Sequence, residues 1–330
     1  MPPSPEISFC LPVFNSAERI ERCLRAVLAQ NVPSREILVV DNSSTDDTVA
    51  RARRLLDGVP GARLVVNDRN LGRIENWNRC LELASGQFLR FALVNDVLLP
   101  GSTAMLLAAA RDRPAAVMIC SRLRQVVEVP ATPEPAPPDP PKVPLDTPAA
   151  LRRFSLQGND TGGLGAMLLR RDVIQNHSLR FRTDIPFWSD FLFAIELADH
   201  GETIYLDADS YLFDLSVKGR FSQAGLAHYY QEGTICARAI ADRFHSRGLD
   251  RSAAFEFLYR QFTHQTWNYE QPPLRPAATL ELFAGAGQYR ALAVKYAKAH
   301  RRRELRQKLA FKMKRLASRL GLERARGKSS

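Results

Sequence analysis

Cysteine is scarce and unpatterned in this chain: Cys10, Cys23, Cys80, Cys120 and Cys236 are the five thiols among 330 residues, odd in number and without metal-ligand spacing. That excludes a disulfide-framed secreted scaffold and leaves small buried hydrophobes in a reducing compartment. Long apolar runs are missing as well. No window offers the roughly twenty uninterrupted apolar residues of a membrane-crossing helix, and Met1-Pro2-Pro3-Ser4-Pro5-Glu6 has neither the basic nor the apolar region of a leader peptide. The chain is therefore expected in the cytoplasm. The histidines are isolated and form no H-x-x-x-H pair, so they are given no metal role. No G-x-G-x-x-G follows the first apolar segment, where a dinucleotide-binding Rossmann domain needs close backbone approach to phosphate.

What the chain does hold is a series of apolar segments that stop at polar turns. Ile7-Ser8-Phe9-Cys10-Leu11-Pro12-Val13-Phe14-Asn15 reads as a buried strand, and Ser16-Ala17-Glu18-Arg19 carries a capping signature for a helix running to Gln30. Ile20, Leu24, Val27 and Leu28 fall at helical spacing, giving that helix one apolar face. Val39-Val40-Asp41-Asn42-Ser43-Ser44-Thr45-Asp46-Asp47-Thr48 runs from a strand into a carboxylate and a hydroxyl-rich turn. Such a turn either caps the next helix or presents ligand-binding groups at a sheet edge. A third strand is predicted over Ala62 to Val66, a helix over Ile74 to Ala84, and a fourth strand over Phe88 to Val94. This alternation predicts an α/β fold, a mostly parallel open sheet flanked by helices, with ligands at the strand ends.

Net charge is +11 and unevenly placed: from Tyr289 onward 15 Lys and Arg face two Glu, so that tail carries +13 and the rest of the chain −2. Leu305, Leu309, Met313, Leu316 and Leu320 recur there at helical spacing among the cations. A basic amphipathic helix suits an anionic membrane surface, placing the protein peripherally on its inner face; the alternative packs the stripe on the main domain. Nucleic acid is not expected as a partner, because no aromatics interleave the charges as stacking platforms. Residues 129–148 contain nine prolines and are predicted as an extended surface loop that forms no packed element. Beyond Tyr211 to Phe221 helices are predicted at Leu226 to Phe244, Ala253 to Phe262 and Leu280 to Leu320.

Four motifs in order resemble family 2 glycosyltransferases of the GT-A fold. They are Pro12-Val13-Phe14-Asn15; Val40-Asp41-Asn42-Ser43-Ser44-Thr45-Asp46; Asn70-Leu71-Gly72 with Asn76-Trp77-Asn78-Arg79 and Ala84-Ser85-Gly86; and Asn95-Asp96-Val97-Leu98-Leu99-Pro100. The resemblance covers roughly residues 5–215. It divides the chain into a GT-A domain over 1–222, with the proline-rich loop at 129–148, and a helical extension over 223–330 ending in the basic amphipathic helix. It implies a nucleotide-sugar donor, with Pro12, Phe14 and Asn15 lining the base and ribose pocket. Asp41 would accept a hydrogen bond from base or ribose, and Arg73 would reach the base edge. Phe14 stands where the family has Tyr, which keeps stacking and drops a phenolic hydrogen bond. At Asn95-Asp96 the family has paired carboxylates holding a divalent cation, Mg or Mn, against the diphosphate. Here one carboxylate remains. Metal held through Asn95 and Asp96 with the substrate phosphates, metal-free transfer with Lys218 and Arg220 neutralising the diphosphate, and loss of activity are all open.

On the acceptor side, Gly162 and Gly163 resemble the family's glycine turn, where backbone approaches sugar closely. Phe187-Trp188-Ser189-Asp190-Phe191 falls where the family has a Glu-Asp pair at a helix start. Asp190 matches the second acid, the general base of inverting members, and Ser189 replaces the first. Desolvation between Trp188 and Phe191 is expected to raise the proton affinity of Asp190, and Trp188 is a candidate to stack on an acceptor sugar. The resemblance implies an inverting glycosyltransferase acting on a glycan or lipid-linked acceptor. The alternative is a non-catalytic GT-A module that binds nucleotide-sugar or glycan.

Overall fold

Two apolar runs rich in β-branched residues, Ile7–Val13 (β1) and Arg35–Asp41 (β2), start the chain's central sheet, and both are buried almost throughout, as strands covered on two faces are. They are seen in a computed structural model that describes residues 4–157, 163–216 and 223–248. Each strand feeds a helix: Ile20–Leu28 (α1) after β1, Thr48–Leu56 (α2) after β2, and Arg73–Leu83 (α3) after the strand Ala62–Val66 (β3). Phe88–Phe91 (β4) returns beside β1, and β2 and β4 both pair with β1 in parallel, Ile7 lying opposite Arg35 and Phe88.

The remaining described elements are Asp96–Leu98 (β5), Ser102–Asp112 (α4), Met118–Val126 (β6), Lys142–Leu145 (β7), Thr147–Gln157 (α5), Met167–Arg170 (β8), Arg171–Asn176 (α6), Ser189–Ala198 (α7), Thr203–Asp214 (β9) and Gln223–Ser246 (α8). The sheet runs β3-β2-β1-β4-β8-β6-β9-β5, with β7 on the side of β9. Only β5, β7 and β8 oppose the common strand direction, so the mostly parallel open α/β sheet is as expected. Alternate strand residues divide between two cores, the consequence of a side-chain period of two. Ile7, Phe9, Leu11, Ile37 and Val39 pack with α1, α2 and α4, whereas Cys10, Leu38 and Val40 pack with α3, α5, α7 and α8. Each such aliphatic or aromatic side chain contributes about 1.5–3 kcal/mol. All five cysteines are free and buried.

Gly86 fixes how closely β4 approaches β1. A Cβ there would lie 2.4 Å from the Ser8 backbone nitrogen, while the Gly86 N–H donates to Ser8 Oγ at 2.8 Å. Arg90 on β4 is fully buried, donating to Ser102 Oγ at 3.0 Å, Thr103 Oγ1 at 2.6 Å and the Ser210 carbonyl at 3.3 Å. Burial lowers its pKa to about 9.

Three sequence expectations change. The fourth strand ends at Phe91 rather than Val94. Ser16 does not cap α1 with its side chain; its Oγ donates to the Phe14 carbonyl, and its own carbonyl accepts from the N–H groups of Arg19 and Ile20. The proline-rich stretch contains structure after all. Its residues Lys142–Leu145 form β7 along the first half of β9, where an edge strand tolerates Pro144, and Ala136 is buried, with its N–H on the Pro100 carbonyl. In the 223–330 region, α8 places Cys236, Ile240 and Phe244 in the same core as α5 and α7. The predicted helices at 253–262 and 280–320 and the basic tail lie outside the described residues. No helix among the described residues is long and apolar enough to cross a membrane.

Candidate active site at the carboxyl edge of the sheet

Asp41 is the last residue of β2 and is 0% exposed. Its Oδ2 accepts the Ser44 N–H at 2.8 Å and its Oδ1 the Ser44 hydroxyl at 2.5 Å, a tight turn that places Ser43 at φ 65°. Asp41 thus closes a turn within its own loop and does not cap α2, which has no side-chain cap, and a carboxylate keeps further acceptor sites. Across the edge, Asn15 at φ 43° receives the Thr45 N–H on its Oδ1 at 2.9 Å and donates its own N–H to Ser44 Oγ at 2.9 Å. The Ala17 N–H reaches Asp46 Oδ2 at 3.0 Å. Burial works against the Asp46 charge, yet hydrogen bonds from Thr48 and Ala17 hold its carboxyl below the usual range. The loops after β1 and β2 are therefore stitched into one surface. Phe14 protrudes from it 44% exposed, a ring open to stacking, while Pro12 is buried beneath.

An amide lattice extends this surface toward α3. Asn42 donates to Asn70 Oδ1 at 2.7 Å and to the Gly72 carbonyl at 3.2 Å, and its Oδ1 accepts the Leu71 N–H at 2.9 Å. Asn67 bridges Asn42 at 3.1 Å and Asn76 at 2.9 Å, and Asn76 donates to the Val40 carbonyl at 3.0 Å. Sequence reasoning quoted Asn42, Asn70 and Asn76 within motifs but gave them no task; the density of asparagines between 67 and 78 was the available signal.

Arg73 leaves this lattice in a direction the sequence did not anticipate. Its Nη2 donates to the Pro186 carbonyl and its guanidinium stands 5.4 Å from the Trp77 ring centroid, so it spans toward α7. From there its charge acts on Asp190, in the first turn of α7. Burial raises the Asp190 pKa, opposed by the Phe191 N–H, which Oδ1 accepts at 2.8 Å, and by the charge of Arg73. Trp188 is 2% exposed, edge-on to Phe191 at 5.4 Å between centroids and against Gly233 of α8. Its ring faces are consumed by the core, which corrects the expectation that it stacks on a sugar. Glu232 of α8, which no motif pointed to, accepts the Phe187 N–H at 2.7 Å and the Trp188 N–H at 3.3 Å, pinning the entry to α7. Gly163, at φ 55°, lies beside the Tyr211 hydroxyl. Gly162, Lys218 and Arg220 lie outside the described residues.

At the other end, the turn after β4 carries Asn95 half-buried and Asp96 buried at the start of β5, opposite Phe213. Asn95 Oδ1 accepts a hydrogen bond from Arg19 Nη1 at 3.2 Å. Arg22, one turn on, pairs with Asp214 at 2.9 Å. By themselves the side chains here are a sparse ligand set for a divalent cation, which would need the donor's phosphates to complete it. The turn offers one carboxylate and one amide whose oxygen already faces a guanidinium, and no group of three His, Cys, Asp or Glu that could hold a metal is found among the described residues. Along the edge, hydrogen bonds join Ser44 to Asn15, Arg19 to the Ser16 carbonyl and Arg19 to Asn95, while Asn42 holds the Gly72 carbonyl just before Arg73.

The family model described as Glycosyl transferase family 2 matches residues 8–177. The uncharacterized glycosyltransferase YibD of Escherichia coli (strain K12) is 23% identical over 268 residues, which cover 79% of this chain and 77% of that one. Other curated matches are shorter; one, 46% identical over 101 residues, spans 31% of each chain. Among solved structures, S. aureus TarS in complex with UDP-GlcNAc superposes with a TM-score of 0.61 at 17% identity, covering 89% of this chain and 87% of that one. The mannosyltransferase PcManGT from Pyrobaculum calidifontis, in complex with GDP-Man and Mn2+, gives 0.51 at 18% identity over 92% of this chain and 88% of that one. The order of the strands, the motifs at their carboxyl ends and the span of the family match lead to one conclusion: this chain belongs to glycosyltransferase family 2.

Proposed function

We propose that the protein transfers a sugar, with inversion, from a nucleotide-diphosphate donor to a hydroxyl of a glycan or lipid-linked acceptor, with Asp190 as general base. The observation that carries this reading is the Asp190 carboxyl at the start of α7, its proton affinity raised by burial and held in check by Arg73 from the opposite, nucleotide-side half of the sheet. A base must be within reach of the acceptor proton and have a pKa near working pH, and burial moves Asp190 in that direction. The surface built by Phe14, Asn15 and Asp41 would hold the nucleoside, Phe14 by stacking and Asp41 through its remaining acceptor sites. Gly162 and Gly163 would let the acceptor approach.

Asp190 would take the acceptor proton as the hydroxyl oxygen attacks the anomeric carbon, and the nucleoside diphosphate would leave from the opposite side. If a Mg or Mn ion took part, Asp96 and Asn95 would hold it and it would screen the diphosphate charge; given the poor ligand set, no step here depends on it. The basic tail would bring the enzyme to an anionic membrane surface carrying a lipid-linked acceptor.

The test is titration of the full-length protein with UDP-, GDP- and dTDP-sugars, followed by a transfer and hydrolysis assay of whichever binds. Binding with turnover supports the enzyme. The single carboxylate at Asn95-Asp96 and the buried Ser189 in place of an acid favour a second reading, a non-catalytic nucleotide-sugar-binding module, and binding without turnover across acceptors would establish it.

A further inference from the structure

Arg19 sits at the N-cap of α1, immediately after the turn that follows the proposed nucleoside-binding residues Phe14 and Asn15, and it is partly buried. Its Nη1 donates to Asn95 Oδ1 at 3.2 Å, joining the β1–α1 turn to the turn after β4. No carboxylate among the described residues forms an ion pair with it. Acids close in sequence or held by its neighbours have other partners, Glu21 in Arg25 at 2.7 Å and Arg54 at 3.7 Å, Asp214 in Arg22 at 2.9 Å, and Asp46 in the Thr48 and Ala17 N–H groups at 3.0 Å, while Asp96 beside Asn95 is buried at the start of β5. The side chain at position 95 matters for the same reason. An aspartate there would pair with the guanidinium, whereas the asparagine amide orients it through one hydrogen bond and brings no charge of its own.

We propose that Arg19 is the diphosphate-binding cation of this protein: its guanidinium, aimed by Asn95, binds the phosphate oxygens of the nucleoside diphosphate and stabilises them as the leaving group, in place of a divalent ion. This rests on the donor-site reading of the preceding subsection. A guanidinium presents a fork of N–H donors matched to phosphate oxygens, and at this position it occupies the amide oxygen that a metal would need. Asn95 acts as a positioning residue and Arg19 as the group that touches the donor.

The experiment is calorimetric titration of the full-length protein with UDP, GDP and dTDP and with the matching monophosphates, each in EDTA and in Mn2+. For the base that binds, the wild-type protein is expected to prefer diphosphate over monophosphate about tenfold or more in EDTA. Arg19→Gln, which can still hydrogen-bond Asn95 but carries no charge, should lose that preference while monophosphate affinity changes little. Arg19→Lys should retain part of it. Asn95→Asp should weaken diphosphate binding in EDTA by pairing with Arg19. The inference is overturned if Arg19→Gln keeps the wild-type preference, or if Mn2+ alone creates the preference in the wild type and Arg19→Gln leaves it intact. Should no nucleotide of any base bind, the donor site itself is refuted and Arg19 with it; monophosphate binding that survives without an Arg19 effect refutes the Arg19 assignment alone.

Discussion

Replacing Asp190 with Asn separates chemistry from stability, and the structure sets the size of both effects. The amide is isosteric, and its Oδ1 can keep the Phe191 N–H bond of 2.8 Å, so the start of α7 is preserved. What disappears is the proton acceptor. General-base catalysis contributes about 10²–10⁴ in rate, so kcat should fall by that factor, equivalent to about 3–5 kcal/mol of barrier, while donor affinity by calorimetry stays within about twofold of wild type. Stability should move the other way. Because burial raises the Asp190 pKa in the folded protein, the native state binds more protons than the unfolded one. Its contribution to stability therefore declines as pH rises from the ordinary carboxylate range through the raised value. Above the raised value that penalty is in full force, and Asn removes it. In a series of melting scans the variant should gain on the wild type as pH rises, and the wild-type advantage should be confined to the acid side. In the wild type, transfer should fade as pH drops through the raised pKa. An Asp190→Asn protein that transfers sugar within tenfold of wild type, or whose stability relative to wild type fails to rise with pH, would refute the assignment.

Arg73→Met removes the charge that lowers the Asp190 pKa. The acidic limb of the kcat/KM profile should shift to higher pH, and an unmoved limb would show that Arg73 does not act on the base. Trp188→Ala should cost about 3–5 kcal/mol in urea unfolding, as a large core truncation does, and a drop confined to acceptor KM with unchanged stability would restore a sugar-stacking role. Gly86→Ala drives a Cβ to within 2.4 Å of the Ser8 backbone nitrogen. Denaturant titration should show a loss of about 1–3 kcal/mol, and unaltered stability would mean that the β1–β4 approach is softer than the structure indicates.

The fold of the first hundred residues was readable because its signals are local. Apolar runs ending at Asn15 and Asp41 give buried strands, and Ile20, Leu24 and Val27 give the face of α1; these periodicities survive tertiary packing. Signals failed where tertiary context decides. Lys142–Leu145 pairs as a strand only because β9 presents an edge, which no composition of the proline-rich stretch could reveal. Arg73 and Trp188 have residue types suited to ligands, yet one reaches the Pro186 carbonyl, 113 residues away, and the other packs between Phe191 of α7 and Gly233 of α8. The raised proton affinity of Asp190 was legible from its apolar neighbours. The Arg19–Asn95 hydrogen bond was not, since a separation of 76 residues carries no pattern.

The position of β8 also governs how the molecule can be made. Met167–Arg170 inserts between β4 and β6, so the Phe88–Phe91 segment has no partner on that side until the chain has grown well past residue 157. A nascent chain on the ribosome would display that unpaired strand edge for the whole synthesis of residues 92–166, and an exposed edge is a template for wrong pairing. An expression fragment meant to capture the first four strands must therefore carry β8 with it.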